Sequence, residues 1–387
     1  MISSPEKTGW RRDFVRDERI KKLARLLVDY SVAAGEGEQV LVTGGAAAEP
    51  LIKEVYARLL DVGAIPIPQV ALPGLQELFF ERARDLHYEK TPPVINSIYE
   101  GVDAIISIMA PHNTRALAGV DPRKHQALAK RDKAVQDLVL EKDRWALTLF
   151  PTQALAQESE MGLEEYEEFV FEAMALGEDD PVRYWREKAE EQGRLIKRLE
   201  RAREVRIVGP GTDLALSIEG RKFLNGDGKH NMPCGEVFTG PVEDSANGEI
   251  YFGVPIAVAG REVLGVRLRF EEGRVVEASA EKGEEFLSSM LDADEGARYL
   301  GELLHDVVHL VRGVVGHVEI GGPRVVDLVR LGANVLVVKA QPVEGVADAL
   351  HGGFAPDVRD PQHRLPLHDP GLLRPRSRSR GTRRPSL

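Results

Sequence analysis

Residues 39–70, QVLVTGGAAAEPLIKEVYARLLDVGAIPIPQV, contain the pattern that decides the fold. The apolar run at 39–43 is typical of a buried strand, and Pro50 opens a stretch with leucine and valine at helical spacing. Gly63 ends that helix, and a second apolar run follows at 65–70. A strand, a helix and a second strand in this order predict a βαβ unit, so we expect a parallel sheet with right-handed crossovers.

Elements of the same kind surround this unit. The apolar periodicity predicts helices at 11–34 and 122–138 and strands at 104–109 and 144–149. Together with the βαβ unit, they predict a Rossmann-like α/β scaffold domain with a parallel sheet over residues 1–153.

Gly44 and Gly45 stand where a dinucleotide-binding fold would hold its phosphates. The fingerprint G-x-G-x-x-G is absent, since the two glycines are adjacent and Ala46, Ala47 and Ala48 follow them. A tight turn in the scaffold is therefore the preferred interpretation, and nucleotide binding is the weaker alternative.

The second half of the chain changes character twice. Residues 154–203 have a helical pattern with acid-rich solvated faces, which indicates a helical connection. From residue 204 the period becomes two, which predicts a largely antiparallel α+β domain over 204–302, with one of its strands at 262–270 and a helix at 283–291. A valine-rich segment at 303–354 follows, and then an Arg-, Pro- and Ser-rich tail at 355–387 that we expect to be disordered.

Composition limits the class of protein. A length of 387 residues with 43% hydrophobic residues favours two domains with cores of their own. The single Cys234 excludes an internal disulfide and fits a reducing cytoplasm. The first residues lack the apolar core of a signal peptide, and no run is long enough to span a membrane, so we expect a cytoplasmic protein. The formal charge of -11 argues against nucleic acid as the main partner.

Two glutamates carry the chemistry that the sequence suggests. Glu236 lies in NMPCGEVFTGP at 231–241, on a predicted loop between strands, and Glu302 closes DEGARYLGE at 294–302. Each follows a glycine, which lets the backbone approach a site and present one hard oxygen ligand. Two such carboxylates are half of a metal site, although Gly-Glu is a common dipeptide and most exposed glutamates are simply solvated.

The run from Thr212 to Glu302 resembles the thermophilic aminopeptidase family of metallopeptidases, of the aminopeptidase T or leucyl aminopeptidase type. The motifs that carry the resemblance are Asp213-Leu214, Gly220-Arg221, Asn225, the Gly-Glu-Val-Phe-Thr core and the Leu-Gly-Glu close, and it covers roughly residues 15–302. The resemblance implies a metal-dependent enzyme that releases N-terminal residues from peptides by metal-activated water attack. It also implies two divalent metal ions (zinc, cobalt or magnesium), with Glu236 and Glu302 as ligands, and a homodimer.

The chain departs from the family pattern after Glu302. The pattern implies a His-x-Ala-Leu-Gly segment, a tyrosine and a His-Trp-Asp segment, and residues 303–387 contain none of these. The tail at 355–387 has eight arginines, six prolines and no lysine, as an out-of-frame translation of GC-rich codons would. An inactive, truncated or frameshifted family member with only scaffold or binding capacity is therefore the alternative.

Two weaker hypotheses remain open. If the segment after Gly301 were a helix, Glu302, His305 and His309 would share one face, and His-x-x-x-His is a zinc-binding spacing. The arginine-rich tail could also bind nucleic acid, an idea that the acidic body of the chain disfavours.

Overall fold

The computed structural model describes residues 17–253, 256–258, 261–292, 295–306, 317–321, 326–327 and 336–338. The helices are α1 (Glu18–Arg25), α2 (Glu49–Asp61), α3 (Leu75–Arg82), α4 (Pro93–Gly101), α5 (Pro122–Glu141), α6 (Gln153–Glu158), α7 (Leu163–Ala173), α8 (Pro181–Leu199) and α9 (Glu284–Leu291). The strands are β1 (Gln39–Gly45), β2 (Ile65–Ala71), β3 (Ala104–Met109), β4 (Trp145–Leu149), β5 (Glu204–Gly209), β6 (Thr212–Ser217), β7 (Leu224–Asn225), β8 (Asn231–Met232), β9 (Glu236–Thr239), β10 (Asn247–Phe252), β11 (Ile256–Val258), β12 (Arg261–Val263), β13 (Val266–Glu271), β14 (Arg274–Ser279), β15 (Leu300–Asp306), β16 (His317–Gly321), β17 (Val326–Asp327) and β18 (Leu336–Val338).

A parallel sheet organises the first half of the chain, in the strand order β2-β1-β3-β4-β8. Its side chains alternate between two apolar layers, as the period of a strand requires. Val40 and Val42 pack with the layer that contains α1, α2 and α7, whereas Leu41 packs with Tyr99 and Val135 of α4 and α5 on the other face. Helices on both faces explain why these strands are continuously apolar. The predicted βαβ unit and parallel sheet are confirmed.

The predicted helix at 11–34 is described from Glu18. Asp17 caps α1 by accepting a hydrogen bond from the backbone N–H of Arg19. The helix continues through a π-helical turn at Leu26–Ser31, whose residues are almost all buried.

The glycine pair Gly44–Gly45 was predicted as a turn, and this was wrong. Both residues belong to β1, where they pair with Val70 and Ala71 of β2. A Cβ atom on Gly45 would lie 2.8 Å from the carbonyl oxygen of Ala110. The glycines therefore permit close packing of β1 beside β3, which a sequence pattern of loop-forming residues cannot distinguish from a turn.

Strand β2 lies at the edge of the parallel sheet and contains Pro66 and Pro68. The backbone N–H of Ile65 donates to the carbonyl of Glu38, so this residue points its backbone groups toward β1. The backbone N–H and C=O groups of successive residues in a strand point to opposite sides. Pro66 and Pro68 therefore direct their nitrogen atoms away from the sheet.

Arg144 fastens the end of the first helical segment to the start of β4. Its guanidinium donates to the carbonyl oxygens of Val32 and Ala33 and to both carboxylate oxygens of Glu38, at 2.7–3.2 Å. Ala33 has a φ of 46°, a left-handed conformation that costs energy for a residue with a side chain. The hydrogen bonds from Arg144 hold this turn in place.

The segment predicted as helical at 154–203 contains α6, α7 and α8. Helix α8 begins after Asp180, whose carboxylate accepts from the backbone N–H of Arg183, and Pro181 occupies its first position. Trp185 on this helix is fully buried, and its indole N–H donates to the carbonyl of Met174 at 3.0 Å.

An antiparallel sheet dominates the second half. Among the described residues it has seven strands, in the order β14-β13-β10-β6-β5-β16-β17, and every pairing between them is antiparallel. Helix α9 and the end of α8 pack against it through Leu287, Leu291 and Leu199. The predicted antiparallel half is confirmed, but the strand predicted at 262–270 is two strands. Gly265, with a φ of 63°, separates β12 from β13.

A smaller sheet in the second half has the strand order β18-β15-β9-β7. Glu236 was predicted on a loop, and this was wrong, because it is the first residue of β9. The preceding β8 pairs in parallel with β4, so a segment from the second half extends the first sheet. The domain boundaries at 153, 203, 302 and 354 stay a prediction.

Most of the predicted valine-rich segment at 303–354, and all of the tail at 355–387, lie outside the described residues. The exceptions are β16, β17, β18 and the last residues of β15. Within the described residues, no helix has the length and apolar character needed to cross a membrane.

The Glu38–Arg144 ion pair predicts a specific dependence of stability on pH. Hydrogen bonds from Arg144 and from the backbone N–H of Gly35 lower the pKa of Glu38 from 4.5 to about 2. Because the folded-state pKa is depressed, the stabilisation is present above pH 4.5 and is lost as the pH falls toward 2. We expect Glu38→Gln to have a lower urea midpoint of unfolding than the wild type at pH 7. Near pH 2 the midpoints of the two proteins should be almost equal.

The matched control is Glu204→Gln, a substitution at an exposed glutamate on β5. It should leave the midpoint unchanged at each pH, since exposed single charges contribute little. A difference between Glu38→Gln and the wild type that stays constant from pH 7 to pH 2 would contradict the assigned role of the ion pair.

Candidate metal centre

Glu236 lies at the start of β9, between the buried part of this strand and the protein surface. Its side chain is half-buried, and the next three residues of β9, Val237, Phe238 and Thr239, are buried. A carboxylate at such an edge has one side against the protein and one side accessible to a ligand.

The main chain at Glu236 is held by three hydrogen bonds. Its carbonyl oxygen accepts from the N–H of Gly226 at 2.8 Å and from the amide nitrogen of Gln192 at 2.7 Å. The N–H of Gly235 donates to the carbonyl of Gly226 at 2.7 Å. These bonds fix the backbone from which the carboxylate extends.

Gly226 leaves the space that two side chains fill. A Cβ atom at this position would lie 2.5 Å from Cys234 Sγ and 2.9 Å from both the Cγ and the carbonyl oxygen of Glu236. Real Cβ atoms do not approach other atoms so closely, so only glycine fits here without displacing its neighbours.

The loop before Glu236 is tied to the first half of the protein. The hydroxyl groups of Tyr30 and Ser31 donate to the carbonyl oxygens of Asp227 and Gly228, at 2.8 and 2.7 Å. Thr148 of β4 donates to the carbonyl of Met232 at 2.8 Å. The position of Glu236 therefore depends on the first half of the protein as well as on the second.

Cys234 is the nearest sulfur to this carboxylate. Its thiol donates to Oε1 of Glu236, with 3.6 Å between the sulfur and the oxygen. Burial, followed by the negative charge of Glu236, raises the pKa of the thiol to about 12. In the absence of a cation, the side chain is therefore a neutral thiol near pH 7.

Two amide oxygens beside Glu236 have no hydrogen-bond donor among the described residues. They are Oε1 of the fully buried Gln192 and Oδ1 of Asn225, and both atoms are inaccessible to solvent. Buried oxygens are normally satisfied, and an unsatisfied one costs roughly 1–3 kcal/mol.

Glu302 lies on the neighbouring strand β15, at some distance along that strand from the residue that pairs with Glu236. The antiparallel register pairs Glu236 with Asp306, and Glu302 precedes Asp306 by four residues. Four residues correspond to roughly 13 Å along a strand. The backbone thus places the two glutamates on adjacent strands but does not place them opposite each other.

The hypothesis of a helical Glu302–His305–His309 face was wrong in its premise. Residues 300–306 form a strand, in which Leu303 pairs with Thr239 and His305 with Val237. His309 lies outside the described residues. The helix that would have aligned Glu302 with His305 is therefore absent.

Glu236 offers one ligand of the kind that divalent ions prefer, a hard carboxylate oxygen. Within the described residues, no three His, Cys, Asp or Glu side chains form a cluster that could hold a metal. The role of Glu236 as a metal ligand therefore stays a prediction.

Sequence reasoning found Glu236 and missed the residues that position it. Gln192 lies in a run of charged residues, and only its spacing could have revealed it, because it stands seven residues from each of the buried Trp185 and Leu199. Gly226 could not be recognised from the sequence, because a glycine that permits a close contact cannot be distinguished there from a glycine in a turn.

Comparison with known proteins identifies the family. The sequence pattern of the thermophilic metalloproteases, M29, matches residues 16–304. The chain belongs to this family. The match ends two residues after Glu302, as the resemblance in the sequence predicted.

Individual members of the family match over most of their length. Aminopeptidase 2 of Geobacillus stearothermophilus is 28% identical over 317 residues, which are 74% of this chain and 76% of that protein. Aminopeptidase T of Thermus aquaticus is 28% identical over 321 residues, with the same coverage. The solved structure of wild-type AmpT from Thermus thermophilus is 26% identical, with a TM-score of 0.64, and covers 79% of this chain and 85% of that one.

As a thermophilic metalloprotease, the chain is a hydrolytic enzyme of a family that acts on peptides with divalent metal ions. The α/β fold with a parallel and an antiparallel sheet agrees with the match to AmpT. The alternative of an inactive scaffold finds no support in these comparisons.

Gly226 provides a test of how this metalloprotease positions its glutamate. We expect Gly226→Ala to destabilise the protein by about 1–3 kcal/mol, because the added methyl group overlaps Cys234 and Glu236. Urea unfolding measures this cost, and zinc titration should show weaker binding in the same variant.

The control is Gly193→Ala in helix α8, where an added Cβ would meet nothing within 4 Å. Alanine is favoured over glycine in a helix by about 0.5–1 kcal/mol, so stability should stay equal or rise. If the two substitutions changed stability and zinc binding equally, the close contact at Gly226 would not be what positions Cys234 and Glu236.

Proposed function

We propose that this metalloprotease is an aminopeptidase that releases N-terminal amino acids from peptides, with Glu236 and Glu302 as metal ligands. The observation that carries the proposal is the position of Glu236, on a strand whose backbone three hydrogen bonds fix, inside the segment that matches the family. The activity named for its relatives in Geobacillus and Thermus supports the same function.

The residues around Glu236 prepare one carboxylate for a metal ion. Gln192 and Gly226 hold its main chain, so the starting point of the side chain is fixed before a ligand binds. The buried residues that follow on β9 exclude water from one side. Two divalent ions, zinc, cobalt or magnesium, would supply the Lewis acidity that polarises the scissile carbonyl and activates water near neutral pH.

The assay that tests this function uses a leucyl reporter peptide with the purified full chain and added zinc, cobalt or magnesium. We expect Glu236→Gln and Glu302→Gln each to lower activity by about 100-fold or more, since even indirect partners of metal ligands cost 10- to 100-fold. Metal content per chain, measured on the same samples, should fall in parallel.

Two controls sharpen the result. Glu249→Gln replaces an exposed glutamate of β10 and should retain full activity. A reporter peptide with an acetylated N-terminus should resist cleavage, because an aminopeptidase needs the free amino group. Full activity of Glu236→Gln, or equal cleavage of the blocked peptide, would refute the proposal.

We also propose that the enzyme works as a homodimer in the cytoplasm and has no nucleic-acid partner. The dimer rests on the family resemblance, and the cytoplasm on the single cysteine of the chain. The formal charge of -11 opposes binding to phosphate backbones. Sedimentation of the purified chain tests the dimer, since a monomer at micromolar concentration would contradict it.

A further inference from the structure

Exposed apolar side chains are concentrated in one region of the first half of the chain. Among the described residues, nine of the twelve exposed large hydrophobic side chains lie between residues 56 and 94. Four of them occur close together at the end of β2 and the start of α3, and they are 45–59% exposed: Val70, Leu72, Leu75 and Leu78. We call these four residues the α3 patch. Contiguous apolar surface of this kind marks a protein–protein interaction site.

A tight turn brings the leucines of the patch together. The backbone N–H of Leu75 donates to the carbonyl of Leu72 at 3.4 Å, which folds the chain back just before α3. Gly74 precedes the helix with a φ of 82°, a conformation that glycine adopts readily. Leu75 and Leu78 are three residues apart on the helix, so they lie on one side of it.

Helix α3 has few contacts with the rest of the chain. Of its eight described residues, Phe80 alone is buried. Phe79 contacts the rings of His87 and Tyr88, with centroids 6.5 and 5.4 Å away. A helix this short is marginal in water, and helices in proteins gain most of their stability from packing of an apolar face. Leu75 and Leu78 form such a face, which the described part of the chain leaves exposed.

Three of the four patch residues lie in an uncharged stretch of sequence. Residues 62–76 contain no Asp, Glu, Lys or Arg, although 29% of the chain is charged and its formal net charge is -11. Two copies of such an acidic chain repel each other, and this repulsion is smallest where the facing surfaces are neutral. A basic partner would instead bind the acidic surface. The charge distribution therefore favours a second copy of this chain as the occupant of the patch.

Symmetry favours the same occupant. A two-fold dimer brings one surface of each copy against the same surface of the other, so that surface has to be complementary to itself. An apolar patch meets this requirement, whereas a patch with charges of one sign does not. The patch also lies at the opposite edge of the parallel sheet from β8, about 19 Å away across four strand spacings. A partner on the patch therefore leaves the segment that leads to Glu236 accessible.

We propose that the α3 patch is the surface through which two copies of this chain form a two-fold dimer. The inference rests on the proposed homodimer and adds the surface that forms it. In the dimer, α3 of one copy packs against the α3 patch of the other, and the burial of apolar side chains from both copies drives association.

Hydrogen exchange of the full-length protein shows directly whether α3 is covered. We expect the amides of residues 75–82 to exchange more slowly at protein concentrations at which the dimer forms than at concentrations at which it dissociates. Sedimentation of the same samples gives the fraction of dimer. The measurement requires no substrate and no metal ion.

Substitutions in the patch test the same surface independently. We expect Leu75→Glu and Leu78→Glu each to weaken the dimer by about 30-fold or more, because each places one negative charge per copy in an apolar interface. Glutamate is a good helix former, so α3 itself should persist. The matched control is Leu140→Glu, at an exposed leucine of α5, which should dimerise as the wild type does. Circular dichroism should show that every variant is folded.

The outcomes separate this inference from the proposals on which it rests. If Leu75→Glu and Leu78→Glu dimerise as tightly as the wild type, the patch is not the interface and the homodimer stands. Slow exchange of α3 at every protein concentration would show that the chain covers the helix itself, which also overturns the inference. A wild type that stays monomeric removes both the homodimer and the interface. The leucyl peptide assay decides the aminopeptidase function separately.

Discussion

The position of the two-residue strand β8 is the constraint on which the candidate site depends. Asn231 and Met232 pair with β4 of the parallel sheet, four residues before Glu236 enters β9 of a different sheet. Hydrogen bonds from Tyr30 and Ser31 hold the start of the same loop. The carboxylate is therefore positioned by both cores, and a shift of either sheet would move it.

The sequence predicted those helices and strands that have a clear apolar pattern within their own residues. Strand β3 was predicted with its observed bounds, because five of its six residues are apolar and the strand is buried on both faces. Helices α3 and α4 were not predicted, since the first has one buried residue and the second begins with a proline-rich turn. The split between β12 and β13 was missed because apolar residues continue on both sides of Gly265, where the buried positions change phase from Val263 to Val266.

The sequence was enough to propose Glu236 as a site residue, but it did not predict the contacts that hold this residue in place. The Gly-Glu-Val-Phe-Thr motif identified Glu236, because a family motif records a residue type at a fixed position. Gln192 acts from a helix 44 residues away in sequence. Contacts between distant segments depend on tertiary packing, which neither periodicity nor spacing encodes. Glu302 remains a predicted ligand, and the register of β15 with β9 describes only its backbone.

Edge strand β2 has a consequence for the behaviour of the protein in concentrated solution. An exposed sheet edge normally offers N–H donors to which a strand of another molecule can add. Pro66 and Pro68 occupy the outward-facing positions of this strand, so two donors are missing along the edge. The strand also carries exposed apolar side chains, Ile65 and Val70, which would otherwise favour such addition. The prolines thus protect the first sheet from intermolecular β-aggregation while its other edge remains available to β8.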